Sequence, residues 1–180
     1  NLRLLRRLAK VARPGLVITD VSSVKGEIVR EAARLGLRGF VGGHPMAGTE
    51  KRGFAASSSG LFRGAAWWIV AGRDRRATRL VRALVRATGA RPIPVDAATH
   101  DRAMAFLSHV PQVVAWALLE AARGDAVARH HLRRAGTGFR DMTRLARSPR
   151  PLWNDILGAN RVEVRRALGA LVRRLERRKE

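Results

Sequence analysis

At 180 residues the chain has room for one domain or two small ones, and a hydrophobic content of 46% is ample for a packed core. No uninterrupted apolar run approaches the roughly 18 residues of a membrane span, and the basic start Asn1 to Lys10 has no signal-peptide core, so a soluble, cytoplasmic protein is expected. Zero cysteines exclude disulfides and thiolate metal sites, and the five histidines (44, 100, 109, 130, 131) show no metal-ligand spacing with carboxylates.

A formal charge of +22 would ordinarily suggest a nucleic-acid partner. Only four of the 36 basic residues are lysines, however, and the arginines are scattered over every predicted helix. Aromatic residues do not interleave with them as a base-stacking platform requires, and tyrosine is absent. The charge therefore reads as a compositional bias, and nucleic acid is not expected as the main partner.

Leu2, Leu5, Leu8 and Ala12 recur at helical spacing until Pro14-Gly15 stops the helix. Leu16 to Thr19 reads as a buried parallel strand that opens into the polar loop Asp20-Val21-Ser22-Ser23-Val24-Lys25. A helix follows with Ile28, Ala32 and Leu35 on one face, closed by Gly36. Arg38 to Val41 is the next strand, which places His44 just past its carboxyl end, in the stretch Gly42-Gly43-His44-Pro45-Met46-Ala47-Gly48-Thr49-Glu50. Ligands of open α/β sheets bind at that edge. Imidazole exchanges a proton near neutral pH, which suits a residue there to acid–base work.

Ala65 to Val70 is a further strand. Asp74 begins a helix whose apolar side is Leu80, Val81, Leu84 and Val85, and Arg91 to Val95, with two prolines, reads as an edge strand. From Ala98 onward every periodic segment is helical: 98 to 122 with a break near Pro111, then 124 to 134, 139 to 147, 150 to 158 and 160 to 178. The fold class is therefore α/β followed by all-α. It comprises a partial Rossmann-like parallel-sheet domain over residues 1–97 and a helical domain over 98–180. In the last helix Val164, Leu168, Leu171 and Leu175 form a narrow apolar seam that could pack within the domain or across a dimer. A complete doubly wound nucleotide-binding fold begins with a strand and a Gly-x-Gly-x-x-Gly turn. That fingerprint does not occur in this sequence, so a longer protein, with this as its carboxyl-terminal part, is expected.

Three later stretches also carry chemistry. Leu107-Ser108-His109-Val110-Pro111-Gln112 sets a histidine just before a helix-kinking proline. Gly138-Phe139-Arg140-Asp141-Met142-Thr143-Arg144 carries two arginines and a carboxylate, and Trp153-Asn154-Asp155-Ile156 follows closely. Singly, His109 reads as a hydrogen-bonded core histidine and Arg144 as a surface charge. Together with Asp20 to Lys25 and Gly43 to Glu50, in that order, these stretches resemble the prephenate dehydrogenase family over about residues 11–170.

The resemblance implies an NAD- or NADP-dependent oxidative decarboxylation of prephenate, or of its aminated relative arogenate, to 4-hydroxyphenylpyruvate or tyrosine in tyrosine biosynthesis. It also implies a nucleotide-binding domain followed by a helical dimerisation domain, and hence a homodimer. By the same resemblance His44 is the catalytic histidine, and Ser23 orients it and the nicotinamide end of the cofactor, with Asp20, Ser22 and Lys25 nearby. His109 and Arg144 bind substrate, Arg144 through a carboxylate, and Thr49, Glu50, Asp141 and Trp153 belong to the polar and aromatic surround. Gln112 stands where many relatives have a second histidine, which leaves prephenate and arogenate both open. Two alternatives are another two-domain hydride-transfer dehydrogenase, whose relatives lack the Gly-His-Pro-Met-Ala-Gly loop, and a non-enzymatic Arg-rich nucleic-acid or dimerisation module.

Overall fold

Phe40 and Val41 are neighbours on one strand yet belong to different hydrophobic clusters, because successive side chains of a strand point to opposite faces of the sheet. In the computed structural model, which describes residues 1–48 and 57–178, the chain divides into two units, Asn1–Asp101 and Arg102–Glu180.

The first unit is built on a four-stranded sheet in the order β1 (Ile18–Thr19), β2 (Phe40–Pro45), β3 (Ala66–Val70), β4 (Arg91–Val95). Helices α1 (Leu2–Ala9) and α2 (Gly26–Arg34) cover one face, where Leu5, Ile28 and Ala32 pack on Ile18 and Phe40. Helix α3 (Arg75–Ala87) covers the other, with Ala77, Val81 and Val85 against Val41, Trp67 and Ile69. Asp74 caps α3 by accepting from the backbone N–H of Arg76 and Ala77. The buried stripe of α3 is narrower than the sequence suggested, for Leu80 and Leu84 are exposed while Ala77, Val81 and Val85 repeat every fourth residue inward.

The Rossmann-like α/β alternation is present, with a mixed rather than wholly parallel sheet: β1 with β2 and β3 with β4 are parallel, but β2 pairs antiparallel with β3. A parallel pair needs a crossover, usually a helix. The described residues before β3, 57–65, pass only through turns. The outer strand β4 pairs with β3 alone, a place that tolerates Pro92 and Pro94.

Helix α4 (Ala97–Met104) leads through a π-helical turn, Ala105–His109, into α5 (Val110–Gly124). Pro111 sits in the first turn of α5, where its missing N–H costs no helical bond, so the predicted break takes the form of the π turn just before it. By length and composition alone Ala97–Gly124 reaches the threshold for crossing a membrane, but it carries the buried polar side chains of His100, Asp101, His109 and Gln112.

The second unit continues with α6 (Ala126–His131), α7 (Thr137–Thr143), a 3-10 turn Arg144–Arg147, α8 (Arg150–Ala159) and α9 (Arg161–Glu176). Its core joins Ala105, Val110, Val164 and Ala167, with Leu157, Leu168 and Leu171 packed against them. The apolar seam of the last helix thus faces inward through Leu171, and of its four members only Leu175 is exposed.

Candidate active site

His44 lies inside β2 rather than past its end, because β3 extends the strand: Gly42, Gly43, His44 and Pro45 pair with Val70, Ile69, Trp68 and Trp67. The period of two sets His44 on the same face as Phe40 and Gly42, the face that α2 covers. Gly43 cannot be replaced by a larger residue without movement, since a Cβ there would stand 2.5 Å from the Asp20 carbonyl oxygen and 2.9 Å from Trp67 Nε1.

The loop between β1 and α2 is tied to β2 by two charged side chains. Asp20 accepts from the N–H of Gly43 and of Ser22, each at 2.9 Å. Lys25, fully buried, donates from Nζ to Asp20 and, at 2.7 Å, to the Gly43 carbonyl. Burial pushes the Lys25 ammonium below the ordinary lysine value, against the opposing pull of Asp20 and Asp101. Asp20 and Lys25 therefore fix the geometry of the loop. Ser23 is half-buried on it, and its hydroxyl makes no hydrogen bond among the described residues.

His44 Nδ1 lies 2.8 Å from His100 Nε2, and His100 Nδ1 lies 2.8 Å from Asp101 Oδ1. Both carboxylate oxygens of Asp101 also receive backbone donors at the start of α2, Lys25 N–H at 2.8 Å and Gly26 N–H at 2.7 Å. Those amides are among the orphan donors that open every helix, and a negative charge there is favoured by the helix dipole. Trp68 closes over the His100 ring edge-on, centroids 6.0 Å apart. No motif in the sequence marks His100 and Asp101 as part of a site. Their only local signal is a histidine beside a carboxylate at the start of a helix, and their partners lie 56 to 76 residues away.

Burial raises the Asp101 carboxyl, but the hydrogen bonds from His100, Lys25 and Gly26 outweigh it and hold the group below the usual carboxylate range. With the folded value depressed, the unfolded chain binds the proton first. The stabilisation is therefore complete above the unfolded value and is lost as pH falls through the folded one. Thermal midpoints measured from pH 6 downward should fall below the ordinary aspartate range, and Asp101→Asn should flatten that part of the curve.

In the second unit His109 is buried at the end of the π turn, its Nδ1 3.1 Å from Asn160 Nδ2. The edges of His109 and Trp116 both meet Trp153, at 6.1 and 6.5 Å between centroids. Gln112, one turn on from His109, donates to the Leu145 carbonyl at 2.8 Å. The structure thus brings His109 and Trp153 together and adds Asn160, which no sequence pattern marked. Asp141 and Arg144 are exposed, on α7 and on the turn after it. Thr49 and Glu50 lie outside the described residues.

A family model described as prephenate dehydrogenase, nucleotide-binding domain, matches residues 2–93, and one described as prephenate dehydrogenase, dimerization domain, matches 96–180. Prephenate dehydrogenase of Bacillus subtilis is 35% identical over 154 residues, 83% of this chain and 42% of the relative. That of Lactococcus lactis is 35% identical over 167 residues, 89% and 45%. The chain therefore spans less than half the length of these curated relatives. Among solved structures, prephenate dehydrogenase from A. aeolicus in complex with hydroxyphenyl propionate and NAD+ superposes with a TM-score of 0.90 at 29% identity, covering 98% of this chain and 63% of that one. Synechocystis arogenate dehydrogenase gives 0.86 at 29%, covering 98% and 65%. With both of its halves matched in order, the chain belongs to the prephenate dehydrogenase family.

Proposed function

We propose that this protein catalyses the NAD(P)-dependent oxidative decarboxylation of prephenate or arogenate to 4-hydroxyphenylpyruvate or tyrosine, as a cytoplasmic homodimer serving tyrosine biosynthesis. Residues 1–97 form part of the nucleotide-binding domain, and 98–180 form the helical substrate and dimerisation domain. The observation that carries the reading is His44, set near the carboxyl end of β2 with one ring nitrogen held by His100.

The residues present fit the nicotinamide end of a dinucleotide. Ser23 offers a half-buried hydroxyl with no other claim on it among the described residues, on a loop fixed by Asp20 and Lys25. No Gly-x-Gly-x-x-Gly turn for the pyrophosphate occurs in the sequence, and NAD and NADP are equally compatible. When bound, the nicotinamide supplies the acceptor for the hydride that leaves ring carbon 4 of the substrate.

His44 takes the proton of the 4-hydroxyl as that hydride departs, so the C–O bond becomes a carbonyl. The bond from the ring to its carboxylate then breaks, carbon dioxide leaves, and the electron pair enters the ring as an aromatic phenolate, which regains a proton. Arg144 is assigned to a substrate carboxylate, and His109, Asp141, Trp153, Thr49 and Glu50 are assigned to substrate binding. A dianionic substrate needs a fixed cation, and a planar guanidinium can grip a carboxylate with two hydrogen bonds.

The test is the absorbance of reduced nicotinamide formed by the full-length enzyme from prephenate or arogenate, with light scattering for the mass in solution. Turnover of at least one substrate and a dimer mass are expected. Failure with both substrates and both cofactors overturns the activity, and a monomer at micromolar concentration overturns the homodimer.

A further inference from the structure

The hydrogen bonds that end on Asp101 determine where every proton in the chain to His44 must sit. Backbone amides can only donate, so the N–H groups of Lys25 and Gly26 oblige both oxygens of Asp101 to accept. A carboxylate held as an acceptor leaves His100 to donate from Nδ1. A neutral imidazole has one donor and one acceptor nitrogen, so His100 Nε2 then accepts. The group it accepts from is His44 Nδ1, at 2.8 Å. This makes His44 Nε2 the acceptor nitrogen of its ring. The reverse order of protons would require Asp101 to donate at a helix N-terminus, toward the Lys25 and Gly26 amides that are themselves donors.

We propose that His100 and Asp101 are positioning residues that hold His44 as its Nδ1–H tautomer, with Nε2 as the nitrogen that takes the substrate proton, and that the first turn of α2 anchors this relay. The proposal rests on the reading of His44 as the base. His100 and Asp101 touch neither substrate nor cofactor in this role. They act by choosing the tautomer of His44 and by giving its imidazolium, once formed, an acceptor already in place. Among the described residues, the charged and titratable groups around the relay include the Lys25 ammonium, which Asp101 influences, and the Asp20 carboxylate bonded to it, with His100 and Asp101 from α4. On the β3 side stands the uncharged ring of Trp68. The amide-capped carboxylate, rather than a mobile surface charge, therefore sets the direction of the chain.

Two measurements on the full-length enzyme decide. The first is the ¹⁵N shifts of the histidine ring nitrogens near neutral pH, assigned by loss of signal in His44→Asn and His100→Asn. Nδ1–H is expected in both neutral rings, and Nε2–H in either one overturns the proposal without reliance on an altered fold. The second is Asp101→Asn, confirmed folded by circular dichroism. Its amide can present Nδ2–H to His100 Nδ1, which would reverse both donors and leave His44 protonated on Nε2. Turnover should fall on the order of 10²–10⁴-fold, the scale of losing a general base through the wrong tautomer, while the Michaelis constant changes by only about two- to threefold. The ¹⁵N pattern of His44 should invert in the same variant. Turnover within about twofold of the parent, with an unchanged His44 pattern, overturns the relay. The two ideas fail separately: normal turnover in His44→Asn removes the base, whereas a dead His44→Asn beside a normal Asp101→Asn removes only the relay.

Discussion

His44→Asn should lower turnover by roughly 10²–10⁴-fold, the range that general acid–base catalysis supplies, while substrate binding changes far less. Asparagine suits the test because its amide can still donate to His100 Nε2, so the β2 surface keeps its shape and its link to Asp101. What it loses is a nitrogen that can take a proton. With His44 as the proposed base, its protonation at low pH should slow the parent enzyme on the acid side. With asparagine no such titration remains, and that limb of the pH–rate profile should vanish from a greatly reduced plateau. Steady-state kinetics at several pH values measure both effects together. Near-normal turnover in the variant would reduce the Gly-His-Pro stretch to a structural element.

The same stretch shows how far the sequence could be read. Strands Ala66–Val70 and Arg91–Val95 were legible within a residue, because β-branched and aromatic residues and turn-forming neighbours marked their ends. The sequence pattern ends the second strand at Val41, since Gly42-Gly43-His44-Pro45 has poor strand propensity. It continues to Pro45 because β3 supplies partners for every one of those residues, a tertiary contact that no local pattern encodes. The loop Asp20 to Lys25 was recognisable as a polar loop at the end of a strand. That Lys25 would be wholly buried was not, because its cost is offset by Asp20 and by the carbonyl of Gly43, 18 residues away.

His100 and Asp101 were invisible for a related reason. Read along the chain they are an ordinary polar pair at the start of a helix, and their role arises only when Asp101 meets the opening turn of α2. The seam of α9 left two outcomes open. Its 4-3-4 spacing was correctly apolar, but a narrow apolar stripe fits a domain core as well as a dimer, and Val164 with Ala167 takes the core. The homodimer reading accordingly leans on the match of residues 96–180 to a dimerization-domain family, with little help from that seam.

Arg144→Lys should raise the Michaelis constant for prephenate or arogenate by roughly ten- to a hundredfold, with a smaller change in turnover and an unchanged constant for the cofactor. Lysine keeps the charge and most of the length but replaces a planar fork by a point ammonium, so a two-point grip on a carboxylate becomes a single contact. Charge-assisted hydrogen bonds contribute about 1.5–3 kcal/mol, and at about 1.4 kcal/mol per tenfold the loss of one gives that range. Arg144 is exposed on the turn after α7 and forms no ion pair among the described residues, so no structural partner competes for its guanidinium. Arg147 supplies the control, for it lies in the same 3-10 turn and is likewise exposed. A solvated surface arginine predicts no kinetic change on conversion to lysine, since an exposed charge far from any partner contributes little. Side-by-side kinetics of Arg144→Lys and Arg147→Lys therefore separate an anchor from one surface charge among many: a raised constant in the first alone identifies the carboxylate site, and equal, near-normal constants in both remove Arg144 from it.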